Sequence, residues 1–142
     1  MLTSEVFWKR LFFVASLYTL SAAPTLVIFY RYLPSLVFTD EGLPYTRNPV
    51  FDTLWYTLVL VVTLFGVGYH TASRDLTRNR VILWLGAAGK LGLAVLVFRL
   101  YAAGFLTPAL PVGLAGDVVW AALFLDFLRR TRGTVVVSNL VG

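Results

Sequence analysis

Lys90 stands in the run GAAGKLGLAVLVFRL, residues 86–100, with apolar neighbours on both sides. Counted from Arg80, it lies ten residues into a candidate helix, about 15 Å along its axis and near the middle of a hydrocarbon layer. A charge at that depth costs about 2.5 to 3.5 kcal/mol on insertion scales, so something must offset it. Snorkelling along its four-carbon stem falls short of either headgroup layer from mid-depth. The amine is neutral in a second option, because burial disfavours its charged form. The third option is a contact, direct or through water, with Asp117, the one carboxylate well inside a predicted span. A helix starting near Leu106 puts Asp117 about 16 Å deep, level with Lys90; a start at Pro111 leaves a height difference of about 6 Å. Helical side chains lean toward their own N-terminus, which in antiparallel neighbours turns the two groups apart. The desolvation cost still favours contact.

Two roles follow for such a pair. As glue, it holds two helices together, aided by the small-residue stripe Gly86, Lys90, Ala94 and by the step from Ala88 to Gly92. As a site, it joins Tyr18 and Trp120 at similar depth, with Thr63 nearby, around a small polar pocket for a quinone, a lipid or a carotenoid-like molecule. Intramembrane charge makes function the default hypothesis, but the small-residue stripes make packing glue the weightier reading, and aromatics at helical spacing usually pack. No phosphate loop, nucleophile elbow, HExxH or pair of carboxylates at catalytic spacing is present, so no catalytic residue is assigned. Nor is a metal site, since His70 is the only histidine and reads as a solvated group at headgroup level. With no cysteine, disulfides, thiol catalysis and thiolate metal centres are excluded for this chain alone.

The elements that must position these residues are membrane helices. The 142 residues are 58% hydrophobic and 13% charged, where soluble domains carry about 25% charged residues. Apolar stretches set spans at about 9–31, 51–70, 80–102 and 107–129, each near the roughly 20 residues a crossing helix needs. An all-α, integral membrane four-helix bundle is the expected fold, because in lipid each backbone polar group must be satisfied within a helix or a closed barrel. The runs do not alternate in polarity as barrel strands do. Lys9 and Arg10 followed by an apolar core and SAA resemble a secretory signal. Because the apolar run continues beyond Pro24 as TLVIFY, it reads as a retained helix kinked at that proline.

A net charge of +5 raises nucleic acid as a partner, but the basic residues follow topology instead. Lys9 and Arg10 precede the first span, Arg74, Arg78 and Arg80 fill the second connection, and Arg129, Arg130 and Arg132 follow the fourth span. The positive-inside rule then makes both termini cytoplasmic. Arg74, Arg78, Arg80, Arg129 and Arg130 are candidates for contact with anionic headgroups. Interfacial aromatics agree: Trp8, Tyr69 and Trp84 fall near the inner ends, and Tyr30, Tyr32, Trp55, Tyr56 and Tyr101 near the outer ends.

Of the connections, residues 31–52 form the long one. Its three prolines and its glycine rule out a single regular helix. LPSLVF is placed to lie along the interface and the remainder to fold over the bundle mouth, with a loosely ordered connection as the equal alternative. In the inner connection Ser73 or Thr77 is placed to cap the third span. The tail, 134–142, has a β-prone core without a partner strand and reads as disordered or docked on another subunit. No internal repeat is visible.

The blocks FGVGYHTASRDLTRNRVILWLGAAGKLGLAVLVFRLYAAG and GDVVWAALFLDFL fall within residues 65–128, about 45% of the chain. They resemble a group of small uncharacterised bacterial four-helix membrane proteins, DoxX-like in layout. The match is carried by Gly68, Tyr69, Arg74, Asp75, Asn79, Arg80, Gly86, Gly89, Lys90, Asp117, Leu123 and Phe124. It implies an accessory, non-catalytic membrane subunit or partner of a larger assembly, quinone-linked or redox. The expected partners are the lipid bilayer and either a second protein or a further copy of this chain, not nucleic acid. The rival expectation is a binder or enzyme for a lipid-soluble molecule at the Lys90 cluster. Ion translocation ranks third, for want of a chain of further polar groups.

Overall fold

The computed structural model describes residues 2–131, and the tail at 134–142 and Arg132 lie outside them. The described chain is all-helical: α1 (Leu2–Tyr32), a one-turn α2 (Pro34–Val37), α3 (Pro49–Arg74), α4 (Arg80–Ala102) and α5 (Ala109–Arg130). All but α2 are long and apolar enough to cross a membrane. The polarity is inverted relative to a water-soluble bundle. Leu17, Leu60, Leu64, Leu85 and Val95 are exposed, while Lys90, Thr19 and Ser16 are buried. Such a surface suits hydrocarbon and is far larger than the apolar patches that soluble monomers show.

Local chemistry sets the helix ends. Asn48 caps α3, its side-chain oxygen accepting from the Val50 amide at 2.9 Å, and Pro49 follows at the first helical position. Between α3 and α4 the tight turn is held by Asp75, whose carboxylate accepts from the amides of Thr77 and Arg78 at 3.1 and 3.0 Å. The expected cap residues do something else. Ser73 donates back to the His70 carbonyl at 2.7 Å, and Asn79, which precedes α4, makes no side-chain cap bond. α5 begins at Ala109, between the two starts weighed from sequence, with Pro111 tolerated in its first turn. α1 runs on through Pro24. There the lost amide is flanked by Ser21 and Thr25, whose hydroxyls donate to the carbonyls of Tyr18 and Ser21 at 2.7 and 2.9 Å.

α1 packs along α3 and α4 along α5, and the two pairs face each other less closely. Gly66 permits the first pairing: a Cβ there would stand 2.7 Å from the Leu20 side chain. Two apolar cores result. One fills the end that carries both termini and is largely aromatic, with Phe12 against Phe124 and Phe127 at 5.1 Å and Tyr69 edge-on to Phe124 at 4.9 Å. The other fills the opposite end, where Tyr30 stacks on Trp55 at 4.9 Å and Val37, Phe38, Val97, Leu106 and Leu114 close around them. Tyr30 and Trp55 thus face inward as a plug, unlike the exposed Tyr32, Tyr56 and Tyr101. They bond inward as well, to the carbonyls of Thr46 and Leu26 at 3.1 and 3.3 Å.

Residues 33–47 are an ordered lid over that end. After α2, Phe38 bridges to Leu106, the Thr39 amide donates to the Phe105 carbonyl at 3.2 Å, and the Thr107 amide donates to the Val37 carbonyl at 2.9 Å. The Thr39 hydroxyl donates to the Gly104 carbonyl at 2.6 Å. Gly104 adopts φ +85°, a conformation that costs other residues about 1 to 2 kcal/mol. Gly42 is required for a different reason, since a Cβ at that position would lie 2.2 Å from the Phe105 carbonyl oxygen. Gly42→Ala is expected to lift the lid at a cost of about 1 to 3 kcal/mol. Hydrogen exchange over 33–47 should then quicken while α4 and α5 keep their protection; unchanged exchange would contradict the lid.

Candidate functional site

Between the two cores lies a polar waist. Lys90 Nζ on α4 donates to the Asp117 carboxylate on α5, and the side chains are only 8% and 17% exposed. Counted from the lid end, Lys90 is about 18 Å and Asp117 about 12 Å down antiparallel helices, a gap of about 6 Å. The lysine stem spans that gap despite the backward lean of helical side chains. The Thr19 hydroxyl of α1 accepts a second, longer bond from Nζ at 3.4 Å. Two aromatic faces complete the enclosure, with Nζ 5.7 Å from the ring centroids of both Tyr18 and Tyr69. Cation–π contacts of this kind contribute about 0.5 to 2 kcal/mol, most where the cation is desolvated.

Two glycines make room for the tyrosines. A Cβ on Gly86 would stand 2.4 Å from the Tyr69 hydroxyl oxygen, and one on Gly116 would stand 2.4 Å from that of Tyr18. The Tyr18 hydroxyl reaches across to the Gly113 carbonyl at 3.4 Å. All four long helices therefore contribute to one ammonium.

Above this floor, toward the lid, is a cavity of about 340 Å³ lined by Tyr18, Lys90 and Asp117 below and by Val37, Trp55 and Leu114 near the lid. Its walls are otherwise mostly apolar, and its size is at the lower end of ligand sites, about 300 to 1,000 Å³.

Of the residues grouped from sequence, the structure brings Lys90, Asp117 and Tyr18 together. Trp120 stands behind Tyr18, with ring centroids 6.0 Å apart, and is not part of the cavity wall. Thr63 is not part of it either: its hydroxyl donates to the Val59 carbonyl of its own helix at 2.8 Å. Thr19 and Tyr69 were not anticipated. Tyr69 is read from sequence as interfacial, but α3 continues to Arg74, which carries Tyr69 inward until it is 1% exposed.

The basic residues divide. Arg80 is spent inside the protein, donating to the Leu128 and Thr131 carbonyls at 2.9 and 3.0 Å and to the Thr131 hydroxyl at 2.6 Å. It thereby satisfies the end of α5, where cations are favoured by the helix dipole, so headgroup contact is not its main task. Arg74 lies 3.0 Å from the His70 ring, and Arg130 pairs with Asp126 at 2.7 Å. Arg74, Arg78, Arg129 and Arg130 are exposed. Among the described residues no cluster of His, Asp and Glu is able to hold a metal ion.

No family model, curated protein or solved structure matches this chain.

Proposed function

We propose that this multi-pass membrane protein binds a lipid-soluble small molecule in the cavity above Lys90 and Asp117. The observation that carries the reading is the placement of a caged ion pair at the floor of an otherwise apolar cavity in mid-membrane. A buried pair that served only as glue would need no space beside it. Lys9, Arg10, Arg74, Arg78, Arg129 and Arg130 gather at the end with the termini, while Arg31 and Arg47 are balanced by Asp40, Glu41 and Asp52 toward the lid. That asymmetry supports cytoplasmic termini and an outward lid. The bacterial inner membrane and a DoxX-like accessory role, quinone-linked or otherwise, remain proposals that rest on the resemblance.

The case for a protein partner draws on two segments, the lid and the tail. The lid's backbone is bonded to residues 104–107 of its own chain, so it is not a free contact strand. Ligand binding is the better supported role.

The test is extraction of the protein in native lipid followed by mass spectrometry of what it retains. We expect one lipophilic species in near-stoichiometric amount, lost in the Lys90→Met/Asp117→Leu double variant, which keeps the helices but removes the polar floor. Equal retention by the wild type and the double variant would refute the reading, as would retention of bulk lipid alone.

A further inference from the structure

The cavity has four sides and two ends, and most of them are closed. Val37 of the lid and Trp55 beneath it, both buried, seal the outer end, and Tyr69 with the aromatic core seals the floor. On the α3/α4 side large side chains border the cavity: the Phe65 ring stands 3.6 Å from where a Cβ on the exposed Gly89 would be, and Leu58, Leu93 and the exposed Val61 line the wall above. α1 against α3 and α4 against α5 are the tight pairings.

The α1/α5 side differs. These helices meet through long side chains near the termini end, Trp8 and Phe12 against Phe127, and then through Tyr18 reaching to Gly113. Beyond Tyr18 the cavity is bordered by Ser21 and Thr25 of α1 and by Ala109 and Gly113 of α5, all small and all exposed. A Cβ on Gly113 would meet nothing within 4 Å. The Ser21 and Thr25 hydroxyls are satisfied by their own helix, so the rim presents no unpaired donor to hydrocarbon.

The floor specifies a head group. Lys90 uses two of its three N–H bonds, on Asp117 and Thr19. Among the described residues the Tyr69 hydroxyl has no hydrogen-bond partner and faces the same space. Two donors are thus unspent. Because Asp117 already neutralises Lys90, an anionic head would leave a net buried charge, which is costly; a neutral oxygen acceptor would not.

Building on the cavity as a ligand site, we infer that it admits, through the α1/α5 window and directly from the bilayer, a long-chain molecule with a neutral carbonyl or similar oxygen head. The head is received by Tyr69 and Lys90. Because the cavity opens between α1 and α5, the tail of a long-chain molecule leaves through the window past Thr25 and Gly113.

The probe is the methyl ester of a long-chain fatty acid carrying a diazirine midway along the chain, where it would cross the window, photolysed with the protein in phosphatidylcholine nanodiscs. Adducts competed by unlabelled ester are expected on the Ser21, Thr25, Ala109 and Gly113 rim. Tyr69→Phe, which keeps the ring packing, should lower competed labelling at least fivefold. Gly113→Leu, whose side chain enters open space, should lower it at least tenfold. Competed adducts on the lid or the α3/α4 face would overturn the route, and stronger labelling by the free-acid form would overturn the head group. Absence of competed labelling would overturn the inference altogether, while the extraction experiment decides separately whether the cavity binds anything.

Discussion

Asp117→Leu alone will weaken the folded bundle by about 3 to 5 kcal/mol, whereas Lys90→Met/Asp117→Leu will stand close to the wild type or above it. The asymmetry follows from burial. With Asp117 removed, the Lys90 ammonium keeps only Thr19 at 3.4 Å and the two tyrosine faces. These do not replace a carboxylate. In the competing state, with the helices separated in lipid, the bilayer is free to thin locally and let water reach Lys90. The single variant therefore loses its stability as helix dissociation. When both charges go, no desolvation cost remains and Met with Leu refills similar volume. Reversible unfolding in bicelles, read by steric trapping, measures all the variants. A double variant well below wild type would show that the pair is a net source of stability, and a single variant equal to wild type would show that the ammonium escapes to solvent.

The Lys90 to Asp117 contact was legible in sequence because its argument needs little geometry. A mid-depth amine must be compensated, and one carboxylate lies within reach. The four long helices were legible for a similar reason, since length and polarity alone set them. The facing of those helices was not. In a bundle surrounded by hydrocarbon the lipid-facing side is as apolar as the core, so the periodic contrast that reveals a buried face in a soluble helix is weak. For that reason Thr19 and Tyr69 do not stand out in sequence, while Thr63 and Trp120 look like cavity-wall residues although their helix faces turn them away. The lid was left open between order and disorder because its order rests on non-local partners. Its amides and carbonyls meet residues 104–107, about 65 positions away, and nothing in the local spelling of 31–52 announces them. The depth of Tyr69 illustrates a smaller failure. The apolar run fades at Tyr69, but the helix continues through His70, Thr71, Ala72 and Ser73, because helix length follows hydrogen bonding rather than polarity.

Glycine substitutions on α4 should separate the cavity floor from mere helix packing, because two glycines that look alike in sequence differ in the structure. Gly86 lies under the Tyr69 phenol, whereas a Cβ on Gly92 would meet nothing within 4 Å. Of the two small-residue stripes, the one through Gly86, Lys90 and Ala94 is buried, and the one through Ala88 and Gly92 faces outward. Gly86→Leu must therefore displace a ring that is itself held edge-on by Phe124 at 4.9 Å, and overpacking of this kind costs about 1 to 3 kcal/mol. The displaced ring can yield only toward Lys90 and the cavity. Retained ligand should fall at least tenfold, out of proportion to the loss of stability, because the floor is filled and its unspent hydroxyl is turned away. Gly92→Leu adds one more apolar side chain to a lipid-facing surface, and both stability and ligand content should stay at the wild-type level. Measuring unfolding and extracted ligand for the two variants together tests the site against the packing role. If Gly86→Leu destabilises the bundle yet retains its ligand in full, Tyr69 is a packing residue and the molecule must be held somewhere other than above Lys90.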